Sequence, residues 1–231
     1  FAIGLAIPIG LIYLRESLNT KLRGRKDLEN VKVPFVGEIP FCKNRHVKRG
    51  LMFWKKKSET GRHLVVKAGV RNVVNEAFRI VRTNLEFMLR NSDGKVILIT
   101  SFNHGSGKSF ITMNMASSFA LKGKRVLVID GDLRHGTSSK YVGSPEEGLS
   151  DYLSGQVDNV QRVIVQDYHN PTLYVLPIGT MPPNPTELLQ NERMTSAISE
   201  LRQQFDYVII DCPPIEVVAD TQILAPMADR T

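Results

Sequence analysis

Four short apolar runs punctuate the chain. KVILIT (95–100), RVLVID (125–130) and YVIID (207–211) are each long enough for a buried strand, and TLYVLP (172–177) is a further candidate. Between the first two lies GKSFITMNMASSFALKG, which carries helical spacing and stops at Gly123, a residue suited to ending a helix. Strand, glycine loop, helix and strand within about 35 residues make one βαβ unit of a parallel sheet. Upstream, NEAFRIVRTNLEFML (75–89) sets Ala77, Val81, Leu85 and Met88 on one helical face, with Phe78 beside it. Downstream, PTELLQNERMTSAISELRQQ predicts a later helix with Thr186 as its N-cap. Residues 71–231 therefore read as an α/β domain, a doubly wound parallel sheet flanked by helices.

Residues 1–70 follow another pattern. FAIGLAIPIGLIYL (1–14) has no charged residue, yet a bilayer needs about 20 apolar residues. The run fits the C-terminal part of a transmembrane helix; a buried core helix or a signal-peptide core is the plainer alternative. Pro8 and the glycines suit a membrane helix, and no cleavage-site pattern follows. Residues 15–70 are poorly periodic and read as a basic juxtamembrane linker. Within it VKVPFVGEIP predicts a short strand between turn prolines, and RGLMFWKKKSETGRH predicts an exposed connector.

Charge sharpens that division. The net charge is +7, but between Arg15 and Lys57 there are 13 Lys or Arg against 4 acids, an excess of +9 that leaves −2 for the remainder. Basic residues directly after a span mark its cytoplasmic side. A nucleic-acid surface fits less well, because the basic segment holds few aromatics for stacking (Phe35, Phe41, Phe53, Trp54) and adjoins the apolar run. A hydrophobic fraction of 42% with 23% charged residues is that of a globular protein, not a disordered one. Cys42 and Cys212 lie too far apart for a zinc motif or a disulfide framework, which fits a reducing compartment. The chain opens on Phe1 without a methionine and stops after MADRT, as a piece of a longer protein would.

The candidate chemistry sits at the ends of the predicted strands. SFNHGSGKSF (101–110) contains the second half of the phosphate-loop pattern G-x-x-x-x-G-K-[ST] but has Phe102 where the first glycine belongs. Gly105 and Gly107 permit close approach of backbone N–H groups to an anion. Lys108 supplies charge, and Ser109 offers a hydroxyl to Mg²⁺. Ser106 and Phe110 complete the segment. A glycine-rich turn with an unrelated lysine is the plainer reading. VLVIDGDLR then delivers Asp130 and Asp132, and YVIIDCPP delivers Asp211, all to the carboxyl edge where open α/β sheets bind ligands. One Asp-Gly turn alone would mean little. Three carboxylates and a lysine loop at one edge point to a Mg²⁺–nucleotide site.

Over roughly residues 25–231 the sequence resembles the bacterial protein-tyrosine kinases (BY-kinases) attached to polysaccharide chain-length and export proteins. Their Walker A loop also lacks the first glycine. VLVIDGDLR is similar to their Walker A′ motif, VIIDCPP to their Walker B, and EAFRIVR (Glu76, Arg79, Arg82) to their E-x-x-R-x-x-R element. VKVPFVGEIP, GLSDYLSG and PIGTMPPNPTELL resemble their connecting segments. The resemblance implies a P-loop fold and ATP-dependent tyrosine autokinase activity on the cytoplasmic side of the bacterial inner membrane. It implies ATP and Mg²⁺ as cofactors, ring-like self-association, and polysaccharide export or polymerisation proteins as partners, with no nucleic acid. By the same carry-over Lys108 stabilises the transferring phosphoryl group and Ser109 and Asp132 hold Mg²⁺. Asp211 acts on the metal from the opposite side, and Asp130 orients or deprotonates the acceptor hydroxyl. Arg134 contacts the nucleotide or a neighbouring subunit, or is a plain surface arginine.

From the residues alone, Glu76, Arg79 and Arg82 are a charged helix face with i, i+3 pairing, and the histidines, His104 included, belong to solvated loops or the core. The family's C-terminal tyrosine cluster is absent: Tyr13, Tyr141, Tyr152, Tyr168, Tyr174 and Tyr207 are scattered, which implies a missing tail or another acceptor. Two other functions remain open. A MinD/ParA-like ATPase switch would carry a second lysine five residues before Lys108, where this chain has Asn103. A non-catalytic nucleotide-binding scaffold of an export complex would use the same site residues.

Overall fold

The structure is a computed structural model that describes residues 2–18, 32–41, 64–90, 94–216 and 219–231. Two units separate, Phe1–Val36 and Gly37–Thr231. The first holds helix α1 (Ala2–Ser17), which includes Pro8 and carries exposed Leu11, Ile12, Tyr13 and Leu14. Its 16 residues rise about 24 Å, and among the described residues no helix is long and apolar enough to cross a membrane. Most of the basic linker and all of RGLMFWKKKSETGRH lie outside the described residues. The part of VKVPFVGEIP that is described forms no strand; its prolines remove N–H groups a ladder would need.

The second unit contains α2 (Val73–Leu89), β1 (Val96–Ile99), α3 (Lys108–Ala120), β2 (Val126–Asp130), α4 (Leu149–Leu153), β3 (Val165–Gln166), β4 (Leu173–Leu176), α5 (Pro185–Leu189), α6 (Glu192–Gln204), β5 (Tyr207–Asp211) and α7 (Asp220–Leu224). The strands form one sheet in the order β1-β5-β2-β4-β3. All neighbours are parallel except the short edge strand β3, which runs antiparallel to β4. The four predicted strands are all present, and β3, at two residues, is too short to leave a sequence pattern.

Strand alternation divides the core between two faces. Leu98, Leu127, Ile129, Val208 and Ile210 pack into a cluster with Leu149 and Leu153 of α4 and Ile198 and Leu201 of α6. Their neighbours Val128 and Ile209 point to the opposite face, which α3 covers, with the Phe119 ring 4.3 Å from that of Tyr207. Nearly every residue of α3 is buried, because α2 packs on its outer side. The small side chains Ala116, Ser117 and Ser118 allow that approach. Residues 64–67 join the same face: Asn114 Oδ1 accepts from the N–H groups of Val65 and Val66 at 2.8 and 3.0 Å, and Ser117 Oγ donates to Val66 O at 3.0 Å.

Two helix expectations change. In α2 the buried residues are Ala77, Phe78, Val81 and Leu89, so Leu85 and Met88 give way to Leu89 at the C-terminal turn. The single helix expected over 185–204 is broken at Gln190–Asn191, where Asn191 accepts from Arg193 N at 2.9 Å and caps α6. Thr186 is not an N-cap. Pro185 takes the first helical position of α5 and Thr186 sits inside it, its hydroxyl donating to Asp220 Oδ1 at 2.6 Å.

Candidate active site

The site lies at the carboxyl edge of the sheet, where β1 feeds α3 and where β2 and β5 end. Gly107 (φ +92°) forms the N-cap of α3 and Gly105 has φ +75°. A Cβ at either would meet nothing within 4 Å, so the left-handed backbone, not crowding, demands glycine. Among the described residues Ser144 alone has positive φ without being glycine. Phe102 therefore stands where the loop needs no glycine, and its ring is 64% exposed. The loop closes on Asn103 O, which accepts from Ser101 Oγ and Ser106 Oγ, both at 3.0 Å. Ile215 N and Glu216 N tie it to the segment after β5 through Ser101 O and Phe102 O.

A cleft of about 270 Å³ opens between this loop and the segment after β2, lined by Lys108, Ser109, Phe110, Asp132, His135 and Thr137 among others. Lys108 Nζ lies 3.4 Å from Asp132 Oδ2 and 3.8 Å from Asp211 Oδ1, a cation between two buried carboxylates. Asp211 Oδ1 also accepts from Thr112 Oγ1 at 3.3 Å, and Oδ2 from Ser138 Oγ at 2.5 Å. Burial pushes the Asp211 carboxyl up; the Lys108 charge and the hydroxyls of Ser138 and Ser109 pull the other way. Asp132 Oδ1 lies 3.1 Å from His135 Nδ1, and the His135 ring meets His104 edge to face at 5.2 Å.

Asp130 does not reach the cleft. It is fully buried, with Oδ2 accepting from Ser139 N and Ser139 Oγ, both at 2.7 Å, and Oδ1 without a partner. Burial first, then the Asp211 charge, raises its pKa to about 7 against the opposing Ser139 hydrogen bonds. The folded chain thus binds a proton that the unfolded chain gives up near its ordinary value. Asp130's contribution is complete below that value and is lost as pH rises through about 7. Without nucleotide or Mg²⁺, Asp130→Asn and wild type should be alike in urea unfolding near pH 4, and the variant should become relatively more stable by about pH 8.5. A stability gap independent of pH would refute this.

The other expected residues fall as follows. Ser106 is exposed and its hydroxyl is spent on the loop itself. The Phe110 ring packs edge to face on Phe78 at 6.1 Å. Arg134 turns from the cleft: Nε lies 3.3 Å from Asp220 Oδ2 and Nη2 donates to Thr186 Oγ1 at 2.8 Å, tying the loop after β2 to α5 and α7. Glu76 and Arg79 form an exposed pair at 2.9 Å, as i, i+3 spacing allows. Arg82 Nη1 donates to Ser118 O at 2.7 Å and braces α2 against α3. Thr112, Ser138, Ser139 and His135 went unpredicted, although Thr112 stands one helical turn beyond Lys108 and His135 three residues beyond Asp132. His135 is partly exposed, as expected of a loop histidine, but it is paired.

Asp132, Asp211 and Ser109 are hard oxygen donors beside an open cleft, a set that fits Mg²⁺. Among the described residues no group of three or more His, Cys, Asp or Glu is spaced to hold a metal. Mg²⁺ commonly takes one or two carboxylates and completes its shell with phosphate and water. A glycine loop, a helix N-terminus, its lysine and strand-end aspartates at one edge of a doubly wound sheet define a P-loop nucleotide-binding domain.

Residues 94–229 match the AAA domain family. The chain belongs to that family and, within it, to the bacterial protein-tyrosine kinases. It is 32% identical over 98% of its length to the putative tyrosine-protein kinase AmsA of Erwinia amylovora, of which it spans about a third (32%). It is 40% identical over 67% of its length to the tyrosine-protein kinase CpsD of Streptococcus agalactiae, covering 66% of that protein. The kinase domain of the Escherichia coli tyrosine kinase ETK superposes with a TM-score of 0.79 at 27% identity, over 90% of this chain and 80% of that one.

Proposed function

We propose that the chain is the end of the membrane anchor and the cytoplasmic part of a protein-tyrosine autokinase that regulates polysaccharide synthesis and export. The observation that carries this reading is Lys108 held between Asp132 and Asp211 at the mouth of an open cleft. The loop backbone from Gly105 to Ser109 binds the phosphates of ATP. Ser109 and Asp132 hold Mg²⁺, with Asp211 behind them, itself oriented by Thr112 and Ser138. Mg²⁺ held there would supply positive charge that offsets the charge of the phosphates. Lys108 stabilises the charge on the phosphoryl group as it moves to a tyrosine hydroxyl. A loose transition state asks little of a base, so the phenolic proton can leave to water in the open cleft.

The apolar helix α1 and the basic residues after it serve as the end of a membrane anchor and its cytoplasmic flank. Self-association runs through α2, where Glu76 and Arg79 are exposed beside Val73, Ile80 and Phe87, an exposed apolar row at seven-residue spacing. Polysaccharide export or polymerisation proteins are the expected partners.

The direct test is Asp132→Ala, incubated with ATP, Mg²⁺ and a tyrosine-containing polymer. Transfer should fall by roughly 10²-fold or more, with unfolding still cooperative. Transfer near the wild-type rate would remove Asp132 from the metal site.

A further inference from the structure

All six tyrosines lie in described residues, and they differ sharply in what their hydroxyls can meet. We propose that Tyr168 is a phosphorylation site, modified by a second copy of this chain. The inference rests on the tyrosine-kinase reading above and names one of its substrates.

Tyr152 is buried beneath Arg193, whose guanidinium carbon lies 4.4 Å from the ring centre. Tyr174 packs on Phe205 and its Oη accepts from Gln166 Nε2 at 3.3 Å. Tyr207 packs on Phe119, and partial burial raises the pKa of its phenol. Tyr141 is half-buried in the 3-10 turn Ser139–Val142. Tyr13 is exposed, but on α1 between Ile12 and Leu14, in the stretch assigned to the membrane anchor. Tyr168 is 94% exposed, at the tip of the turn that joins β3 to β4.

That turn is built rigidly. Asp167 Oδ1 accepts from His169 N at 3.0 Å and Asn170 N at 2.8 Å, Leu173 N donates to Asn170 O at 3.0 Å, and Gln166 Nε2 donates to Pro171 O at 2.7 Å. The ring rests edge to face on His169, 5.1 Å between centres. A side chain displayed on a fixed turn loses little backbone freedom on entering another molecule's cleft.

Topology makes the transfer intermolecular. Thr172 Oγ1 donates to Ala120 O at 3.0 Å, so the turn docks at the last residue of α3. Lys108 begins that helix, about 18 Å away along its axis. The register agrees: Leu173 pairs with Val126 at the start of β2, whereas Asp130 ends that strand and Asp132 follows. Tyr168 thus projects from the amino edge of the sheet and its own cleft opens at the carboxyl edge. In the step itself the bond from the γ-phosphorus to the ADP oxygen breaks and one to Tyr168 Oη forms. The phenolic proton goes to water and ADP leaves.

The test incubates the chain with ATP and Mg²⁺ in the presence of a Glu/Tyr copolymer and maps phosphotyrosine by mass spectrometry. Wild type should carry phosphate on Tyr168. Tyr168→Phe should lose most of the phosphate on its own chain and phosphorylate the copolymer as wild type does. When Tyr168→Phe is mixed with Lys108→Met, phosphate should appear on Tyr168 of the Lys108→Met chain. Copolymer phosphorylation with Tyr168 unmodified overturns this inference and leaves the kinase reading standing. Phosphate on Tyr168 of wild type but not of the Lys108→Met chain in the mixture overturns the role of the second copy. Phosphotyrosine on neither the chain nor the copolymer overturns both readings.

Discussion

Lys108→Met is expected to lower phosphoryl transfer by roughly 10³-fold while the chain stays folded. The ammonium is the cation facing both Asp132 and Asp211, and a thioether of similar length fills its volume without its charge. Two carboxylates left at the cleft would repel the phosphates that they should help to hold through a metal. The fold survives because burial already inclines Asp211 toward its protonated form. Without Lys108 that pKa rises further, and Asp211 takes up a proton in place of standing as an unpaired buried charge. The sign follows: a raised carboxyl pKa gives stability at low pH that is lost as pH rises, so the variant's deficit should grow toward alkaline pH. Circular dichroism, thermal melts at two pH values and a transfer assay would check each part. A variant that transfers phosphate at near the wild-type rate would show that the lysine is not at the reacting group.

Gly148→Ala should cost about 3 kcal/mol or more, a large effect for one added methyl group. Gly148 caps α4 and lies against the strand-end segment Pro177–Gly179; a Cβ there would overlap the main chain of all three residues. The neighbours cannot easily yield. Leu149 N and Ser150 N donate to Pro177 O and Ile178 O at 2.8 and 2.9 Å, and Asp151 Oδ2 accepts from both Gly148 N and Thr180 N. Gly143→Ala provides the control, because Gly143 has φ +83° but open space where the Cβ would go. It should cost only about 1 kcal/mol. Urea unfolding of the pair separates crowding from backbone strain. Equal losses would mean that α4 and the 177–180 segment move apart at little cost.

The sheet was legible because its strands are largely buried on both faces and so read as unbroken apolar runs, one of which ends at Asp211 in the site. Gly105 and Gly107 were legible for a backbone reason, and Phe102 proved compatible for the same reason: its position has no left-handed backbone. The difference between Asp130 and Asp132 was not legible. They are two apart and would share a face in a strand, but β2 ends at Asp130, and after Gly131 the alternation no longer governs where Asp132 points. The hydroxyls on the buried carboxylates, Thr112, Ser138 and Ser139, left no sequence signal either, since serine and threonine suit loops, caps and helices alike. Thr186 reads as a cap for that reason. Only the arrival of Asp220 and Arg134 from distant segments gives its hydroxyl another role.

The central claim is that this cleft passes phosphate from ATP to tyrosine. Its most direct test supplies labelled ATP, Mg²⁺ and a tyrosine-containing acceptor to wild type and to Lys108→Met, then follows both phosphotyrosine and free phosphate. The account predicts phosphotyrosine with wild type and its loss in the variant. Lysine-dependent release of free phosphate with no phosphotyrosine would contradict it and leave a nucleotide-driven switch in its place.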